Sequence, residues 1–331
     1  MDAVIFAGEH EFERCPLSLA RPKPLWPMAG GTLLDLQLQR LAEAGVSAAV
    51  VCVIRGAEEI HRHLAVHPPP QGLTVSTRQD WPPRGPAGCL RDAAGGFGPG
   101  PHAALEIGAI NTVDWHEAAG RHAGSGAPLS VGFTADPDRR LRPAGLYVWD
   151  DSLLGHIPAK GFQDLKERLL PALAALGRPA VPLIWPNGTV QRVDHLDGYL
   201  EAVRRRMVGA GEPARPSLAR VDPGAEVHPA ARLLGPVWVE PGARVDAGAV
   251  IVGPTLIGAG SRVGSGAVIR RSVIWSDAEI APQARTEDCV VTDRAHVPGG
   301  DAGRRQVFLA ASPGVGGRHV LRVRGYAIAS T

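Results

Sequence analysis

Aliphatic side chains recur every six residues through much of the second half of the chain. A strand alternates every two residues and a helix turns in about 3.6, so neither element produces a sustained period of six. This period is typical of hexapeptide repeats in a parallel β-helix, in which each aliphatic side chain points into a stacked core. The period slips by one at Ile274 and resumes to Val297, which predicts a bulged corner between coils. The nine consecutive positions are Val221, Val227, Leu233, Val239, Val245, Ile251, Ile257, Val263 and Ile269.

Apolar runs alternate with helical patterns in the first half of the chain. The run at residues 3–7 is followed by a helical pattern at 33–44 and a second run at 48–54, which is the order of a β-α-β unit. Residues 165–176 and 196–207 also have helical spacing. Together these patterns predict a parallel sheet that is covered by helices.

The change of pattern divides the chain into a helix-and-sheet domain, a short linker rich in Gly and Pro, and a β-helix. Two strand-like runs follow, and we expect them to cap the open end of the β-helix, because a terminal coil leaves unpaired strand edges. The predicted segments are residues 1–207, 208–220, 221–300 and 301–331, with the strand-like runs at 306–311 and 320–328.

The composition indicates a soluble globular protein. Hydrophobic residues make up 44 % of the chain and charged residues 21 %. The net charge of +2 gives no electrostatic reason to expect nucleic acid or a membrane surface as a partner. The four cysteines are widely spaced, which favours reduced, buried thiols over disulfides or a zinc site. With no signal-peptide pattern and no stretch long enough to span a membrane, we predict a cytoplasmic location.

Four motifs resemble those of the sugar nucleotidyltransferases, which make nucleotide sugars. Residues 21–30, RPKPLWPMAG, are similar to the family's R-P-K-P-L-x-P-V-x-G. Residues 85–90, GPAGCL, are similar to its base-contacting G-T-A-G-A-L loop, with Gln79 upstream. Residues 143–148, PAGLYV, and 199–202, YLEA, resemble later motifs of the catalytic domain. The mannose-1-phosphate guanylyltransferase and glucose-1-phosphate nucleotidyltransferase branches are the most similar.

This resemblance implies a Rossmann-like α/β domain with a GT-A-like mixed sheet, followed by a left-handed parallel β-helix of hexapeptide repeats. It also implies nucleotide contacts at several separate positions. Lys23 is the retained residue that best suits a phosphate contact, although a solvated loop position explains it equally well. The candidate nucleotide-binding residues are Gly8, Arg14, Lys23, Gln79, Gly85, Ala87 and Gly88.

The phosphate loop of that family is degenerate in this chain. Where the family has A-G-G-x-G-T-R-L-x-P, residues 7–16 read AGEHEFERCP, so Glu9 and Glu11 replace two glycines and Glu13 replaces the arginine. Carboxylates that face a triphosphate repel it, by roughly 4 kcal/mol per close pair at an effective dielectric of about 20. Arg14 lies one position away and would have to compensate several negative neighbours.

Both metal-binding aspartates of the family are also replaced, by Ala109 and Arg192. An alanine cannot ligate a hard cation, and nucleotidyl transfer without Mg²⁺ loses its main electrostatic stabilisation. Glu106 or Asp194 could supply a carboxylate from a neighbouring position, but strand alternation turns adjacent residues to opposite faces. The family's E-K-P segment, which contacts the sugar and its phosphate, has no counterpart before Pro143.

Histidines suggest two further sites, which the sequence favours less. His61, His63 and His67 lack a companion carboxylate or Cys pattern, so an exposed helix end explains them better than a metal site. His228 and His296 lie on the β-helix, where acyltransferases of the hexapeptide class use a histidine base. Those enzymes usually need a loop that protrudes from a coil, and the strict period of six leaves no room for one.

These departures predict a non-catalytic homologue that acts as a nucleotide- or nucleotide-sugar-binding, regulatory or scaffolding subunit without a cofactor. Its partners would be a nucleotide or nucleotide sugar, further copies of the chain or an active paralogue, with neither nucleic acid nor membrane. The alternative is an active pyrophosphorylase, which joins a nucleoside triphosphate and a sugar 1-phosphate and releases pyrophosphate. That enzyme would require Mg²⁺ held by carboxylates from elsewhere in the chain.

Overall fold

The structure, a computed structural model, describes residues 1–8, 15–208, 219–310 and 321–324. These residues form two compact units. The first unit comprises residues 1–8, 22–25 and 33–192, and the second comprises the other described residues. Most of the predicted linker lies outside the described residues.

Strands and helices alternate along the first 208 residues. The strands are β1 (Ala3–Phe6), β2 (Pro27–Met28), β3 (Gly31–Thr32), β4 (Ala48–Val53), β5 (Thr74–Gln79), β6 (His102–Glu106), β7 (Ala109–Asn111), β8 (Leu129–Ala135), β9 (Leu141–Trp149), β10 (Val181–Pro186) and β11 (Val190–Arg192). The α-helices are α1 (Leu33–Glu43), α2 (Ala57–Val66), α3 (Gly85–Ala93), α4 (Trp115–Ser125), α5 (Leu170–Ala175) and α6 (Leu196–Val208). Short 3-10 helices lie at Pro16–Leu19, Lys23–Leu25, Ala94–Gly96 and Asp151–His156, and a π-helical turn at Leu165–Leu169.

Seven of these strands form one mixed sheet in the first unit, in the spatial order β10-β8-β9-β6-β1-β4-β5. Strand β9 is antiparallel to both of its neighbours, and the other adjacent pairs are parallel. The predicted order of run, helix and run corresponds to β1, α1 and β4. Ala3, Val4 and Ile5 of β1 are fully buried, as expected for a central strand of a largely parallel sheet.

The two later helical predictions are also confirmed. Residues 165–176 form the π-helical turn and α5, and residues 196–207 form most of α6. Helix α6 is grouped with the second unit, where the buried Tyr199 donates its hydroxyl to the carbonyl oxygen of Pro27. The same hydroxyl accepts a hydrogen bond from Trp275 Nε1 at 3.0 Å, which fastens α6 within this unit.

The second unit contains short parallel strands in three sheets. They are β12 (Ala219–Val221), β13 (Glu226–Val227), β14 (Arg232–Leu234), β15 (Val237–Val239), β16 (Arg244–Val245), β17 (Val250–Val252), β18 (Thr255–Ile257), β19 (Arg262–Val263), β20 (Val268–Arg270), β21 (Val273–Ile274), β22 (Glu279–Ile280), β23 (Arg285–Glu287), β24 (Val290–Val291), β25 (His296–Val297), β26 (Ala302–Arg304) and β27 (Gln306–Leu309). Every third strand joins the same sheet, which is the arrangement of a parallel β-helix.

The coils of the β-helix shorten by one residue part-way along. Val250 pairs with Val268, eighteen positions on, whereas Val273 pairs with Val290, seventeen positions on. The prediction of a bulged corner is therefore wrong, because the corner after β20 loses a residue instead of gaining one. Arg271 occupies this corner with a φ of 44°, and its guanidinium donates to Asp288 Oδ1 in the next coil at 2.7 Å.

Six of the nine periodic aliphatic residues, from Val239 to Ile269, lie in the buried core of the β-helix, which confirms the predicted repeat. Val227 and Leu233 are partly buried against it. Val221 is 39 % exposed, so the prediction is wrong for this position. The physical reason is that β12 ends its sheet among the described strands and pairs there with β15, so the stacked coils cover Val221 from one direction.

The strand-like runs predicted near the carboxyl terminus are confirmed within the described residues. Strand β27 pairs in parallel with β24, and a final strand, β28 (Leu321–Arg324), pairs with β27 in the antiparallel direction. The added strand pairs with the last edge of one of the three sheets, and the capping role stays a prediction. Residues 311–320 and 325–331 of the predicted cap lie outside the described residues.

The packing of the β-helix predicts different costs for one substitution at two periodic positions. Val245 is 3 % exposed and Val221 is 39 % exposed. We expect Val245→Ala to lower the free energy of unfolding by about 2 kcal/mol, because it removes buried apolar surface and leaves a cavity. Val221→Ala should cost less than about 1 kcal/mol. Urea denaturation followed by circular dichroism measures both free energies of unfolding. Equal costs would contradict the observed difference in burial between the two positions.

Candidate functional site

The carboxyl ends of the parallel strands lie at one edge of the large sheet. Phe6 of β1 pairs with Cys52 of β4 and with Glu106 of β6, so the three strands end side by side. Gln79 ends β5 next to β4, and Gly8 follows β1 by two residues. Ligands of open α/β sheets bind at this edge, so Gly8, Gln79 and Glu106 belong to the candidate site.

The two positions that the resemblance assigns to metal-binding aspartates face each other. Strands β7 and β11 are antiparallel, and their register places Ala109 opposite Arg192. Gln37 of α1 is fully buried and donates Nε2 to the carbonyl oxygens of Ile107 at 2.9 Å and Ala109 at 3.1 Å. Sequence reasoning missed Gln37, whose one signal was a polar residue on the apolar face of a helix. This amide holds the turn that leads into β7.

Arg192 and Glu106 form an ion pair at this edge. Arg192 Nη2 donates to Glu106 Oε2 at 2.6 Å, and Arg192 Nη1 lies 3.5 Å from the carbonyl oxygen of Ala144. The hydroxyl of Tyr147 donates to Glu106 Oε1 at 3.3 Å. The Glu106 and Arg192 side chains are 32 % and 35 % exposed, so the pair remains in contact with solvent. Both carboxylate oxygens of Glu106 are therefore engaged within the chain.

Tyr147 supports the ion pair with a neutral hydroxyl. Burial raises the pKa of Tyr147, the nearby Glu106 carboxylate raises it further, and Arg192 opposes this shift. The hydroxyl therefore stays protonated at ordinary pH and serves as a donor. Its ring also meets Phe6 edge-on, with ring centroids 6.2 Å apart. Tyr147 lies within the motif at 143–148, but the sequence alone gave no indication of its partner.

Gly145 leaves room for the ion pair. Its φ of 68° lies in the left-handed region, which favours glycine. A Cβ at this position would lie 3.0 Å from Glu106 Oε2 and would overlap Arg192 Nη1. The geometry of strand β9 at this point therefore requires a residue without a side chain.

The side chains at this site do not fit a divalent cation. Ala109 offers no ligand atom, Arg192 carries a positive charge, and Glu106 is bonded to that charge. Mg²⁺ needs several oxygen ligands in near-octahedral geometry. Among the residues that the structure describes, no group of three or more His, Cys, Asp or Glu is arranged to hold a metal ion.

The loop that resembles the base-contacting segment is covered by the chain itself. Ala87 is fully buried, and its N–H donates to the carbonyl oxygen of Gln163 at 3.1 Å. Gln163 in turn donates its N–H to the carbonyl oxygen of Arg84 at 2.6 Å. A Cβ on Gly85 would lie 2.7 Å from the Gln163 oxygen and 3.0 Å from the Phe162 ring. The close approach of residues 162–163 therefore requires glycine at position 85.

The Arg84 guanidinium holds this covering segment in place. It donates to the carbonyl oxygens of Gly161 at 2.9 Å and Pro158 at 3.2 Å, and Nε donates to Asp92 Oδ2 at 3.1 Å. A Cβ on Gly88 would lie 2.6 Å from the Arg84 Cβ. Gly88 therefore serves the packing of Arg84, a role that sequence reasoning did not assign to either residue.

The remaining nucleotide-binding candidates are less enclosed. Gln79 and Gly8 are exposed, and Gly8 lies so close to Ile54 that a Cβ would be 2.7 Å from its Cδ1. Lys23 begins the 3-10 helix Lys23–Leu25 and is partly buried. The residues on which the degenerate phosphate loop was predicted lie outside the described residues: Glu9, Glu11, Glu13 and Arg14.

The histidines in and next to α2 differ in exposure. His61 is exposed in the middle of α2, and His67 is exposed just after its last residue. His63 contradicts the expectation, because its side chain is 12 % exposed and Nε2 lies 2.7 Å from Asp35 Oδ1. Tertiary packing supplies the carboxylate that sequence spacing did not reveal.

The histidines of the β-helix make local contacts. The N–H of Ala230 donates to His228 Nδ1 at 3.0 Å, and His296 Nδ1 lies 3.3 Å from Glu279 Oε2 in the preceding coil. The coils from 219 to 310 continue in short strands joined by tight corners. This part of the chain therefore offers no protruding loop for an acyltransferase site.

Comparison of the chain with models of known protein families gave no match. Family membership therefore stays a hypothesis that rests on the motifs. Within the described ranges, no helix combines the length and the apolar character needed to cross a membrane. All four cysteines are buried and free of disulfides, as predicted.

The space around Gly145 predicts a steric effect that a matched glycine lacks. Gly145 and Gly177 both have a φ of 68°, but a Cβ on Gly177 would meet nothing within 4 Å. Both Gly→Ala substitutions incur the cost of a left-handed alanine, on the order of 1 kcal/mol, and Gly145→Ala should lose about 1 to 2 kcal/mol more. Urea denaturation measures the difference. Adding Arg192→Ala should recover part of that extra loss, and no recovery would contradict a clash with the guanidinium.

Proposed function

We propose that this chain is a sugar-nucleotidyltransferase homologue without metal-dependent catalysis, which binds a nucleotide or nucleotide sugar as a regulatory or scaffolding subunit. The observation that carries this proposal is the 2.6 Å bond between Arg192 and Glu106, on a strand pair where Arg192 faces Ala109. The motif resemblance indicates the class of ligand, and the ion pair supports the loss of the metal.

A guanidinium and a divalent cation compete for the same carboxylate. Two like unit charges 4 Å apart repel each other by about 4 kcal/mol at an effective dielectric of about 20, and a divalent ion roughly doubles this cost. Glu106 would have to leave Arg192 before it could bind a cation, and Ala109 could not contribute a second ligand. The arrangement therefore favours the Arg192 guanidinium, which is a permanent part of the chain, over an exchangeable metal ion.

The Arg192 guanidinium also suits an anionic ligand. It is 35 % exposed at the edge where ligands of α/β sheets bind. Arginine presents planar donors that match phosphate oxygens and keeps its charge at every ordinary pH. Phosphate binding at this edge would therefore need no metal ion, whereas in-line transfer from a triphosphate would lack the stabilisation that Mg²⁺ supplies.

The second unit suits a scaffolding role. We infer that its β-helix is left-handed, because coils with six-residue sides and three parallel sheets are features of the hexapeptide class that the chain resembles. The three parallel sheets offer faces for a further copy of the chain or for an active paralogue. The four cysteines are buried and form no disulfide with one another, which supports a reducing location such as the cytoplasm.

The first test separates binding from turnover. We expect no release of pyrophosphate above background when the protein is incubated with Mg²⁺, nucleoside triphosphates and sugar 1-phosphates. Calorimetry with the same nucleotides and with finished nucleotide sugars should detect binding that is unchanged by EDTA. Turnover would overturn the non-catalytic proposal, and the absence of any binding would leave a purely structural subunit.

The second test restores the two missing carboxylates. We expect the double variant Ala109→Asp/Arg192→Asp to gain Mn²⁺ binding, because it supplies two carboxylates and releases Glu106 from its partner. The control Ala109→Asn/Arg192→Asn has nearly the same shape without the charges and should bind Mn²⁺ far more weakly. Electron paramagnetic resonance of free Mn²⁺ measures both. Equal Mn²⁺ binding by the unmodified protein would contradict the lost metal site.

A further inference from the structure

Trp81 is an exposed aromatic residue at the edge that carries the candidate site. The residue is 70 % exposed, the highest value among the exposed large hydrophobic residues in the described part of the chain. It follows Gln79, the last residue of β5, by two positions, and it precedes α3, which begins at Gly85. Trp81 therefore lies between the two elements that resemble base-contacting segments.

The turn that presents Trp81 is firmly held. Asp80 is 8 % exposed, and its N–H donates to the carbonyl oxygen of Val53 at 2.7 Å. Its Oδ1 accepts the N–H of Arg84 at 2.6 Å, which closes the turn around Trp81 and the two prolines that follow it. Proline restricts the backbone further. The exposure of Trp81 is thus a property of an ordered turn.

The backbone at the start of α3, next to the Trp81 turn, is already hydrogen-bonded or covered by other parts of the chain. The N–H of Ala87 is bonded to Gln163, and Gly85 is buried under Phe162 and Gln163. A ligand base that approaches this edge therefore meets exposed side chains before it meets the loop backbone. Gln79 and Trp81 are both exposed there.

An indole on an ordered turn is well suited to a flat aromatic ligand. Aromatic rings stack on nucleobases with about 1 to 3 kcal/mol per base, and such stacking tolerates different bases because each base has a π-face. A large exposed aromatic side chain also gains from being removed from water. Gln79 can donate to and accept from the edge of a stacked base.

We propose that Trp81 is the stacking platform for the nucleobase of the ligand. This inference rests on the proposed function, since it assumes that a nucleotide or nucleotide sugar binds at this edge. It assigns base recognition to the exposed Trp81 side chain on the preceding turn, instead of to the backbone of residues 85–88. The shared chemistry of the ligand is the planar base, whether it belongs to a free nucleotide or to a nucleotide sugar.

Calorimetry on the full chain tests this proposal with Trp81→Ala, Trp81→Phe and the control Leu176→Ala. Leu176 is 60 % exposed in the same unit, so its loss mimics the removal of exposed apolar surface. The probes are ATP, GTP, CTP, UTP and dTTP, with UDP-glucose and GDP-mannose as nucleotide sugars and pyrophosphate as a ligand without a base. For the probes that bind, we expect Trp81→Ala to weaken affinity about tenfold or more, and Trp81→Phe about threefold or less.

Further results must accompany the loss of affinity in Trp81→Ala. Leu176→Ala should bind as the unmodified protein does, and any affinity for pyrophosphate should not change in Trp81→Ala. Tryptophan fluorescence should be quenched by the bound base in the unmodified protein and much less in Trp81→Phe. Thermal unfolding should show that the variants remain folded, as expected for substitution of exposed side chains.

The outcomes separate this inference from the proposed function. If nucleotides bind and Trp81→Ala keeps the full affinity, the stacking platform is overturned while the proposed function stands. If the unmodified protein binds none of the probes, the proposed function fails and the stacking role fails with it. If Trp81→Ala weakens pyrophosphate as much as nucleotides, the residue acts on the site as a whole and base stacking is overturned.

Discussion

The antiparallel pairing of β7 with β11 places Arg192 opposite Ala109, and from there the guanidinium reaches Glu106 at the end of β6. This contact sets the charge of the candidate site. The buried Gln37 holds the turn into β7, and Tyr147 donates to the second oxygen of Glu106. These contacts hold Glu106 and the strand pair in the positions that the ion pair requires. A metal site would instead need carboxylates whose oxygens are available to a cation.

The second unit depends on a different constraint, which is that each coil must stack on the one before it. Aliphatic residues such as Ile251 and Ile269 are fully buried because the coils above and below enclose them. The loss of one residue at the Arg271 corner changes the coil length without breaking the three sheets. The ion pairs of Arg271 with Glu287 and Asp288 join this corner to the next coil. A stacked solenoid therefore tolerates a shorter corner as long as inward positions remain aligned.

At the candidate site, neighbouring residues have different roles according to whether they are buried or exposed. Gly85 and Gly88 serve close packing against residues 162–163 and Arg84, which is a structural reason for glycine at both positions. The turn before them presents Trp81 to solvent. A motif that resembles a ligand-binding loop can therefore retain its glycines for packing while exposed side chains nearby remain available to a ligand.

The sequence by itself determined the β-helix, because its period is local and each repeat carries the same inward aliphatic position. It also places Ala109 and Arg192 at the two positions where the motif resemblance leads us to expect carboxylates. Only the tertiary structure decided that Arg192 bonds to Glu106, which lies 86 positions earlier in the chain. Pairing across that separation depends on strand register and packing, and no local pattern specifies it. The same holds for the cover over Gly85, since hydrogen bonds between distant segments form only once the sheet and helices have brought them together.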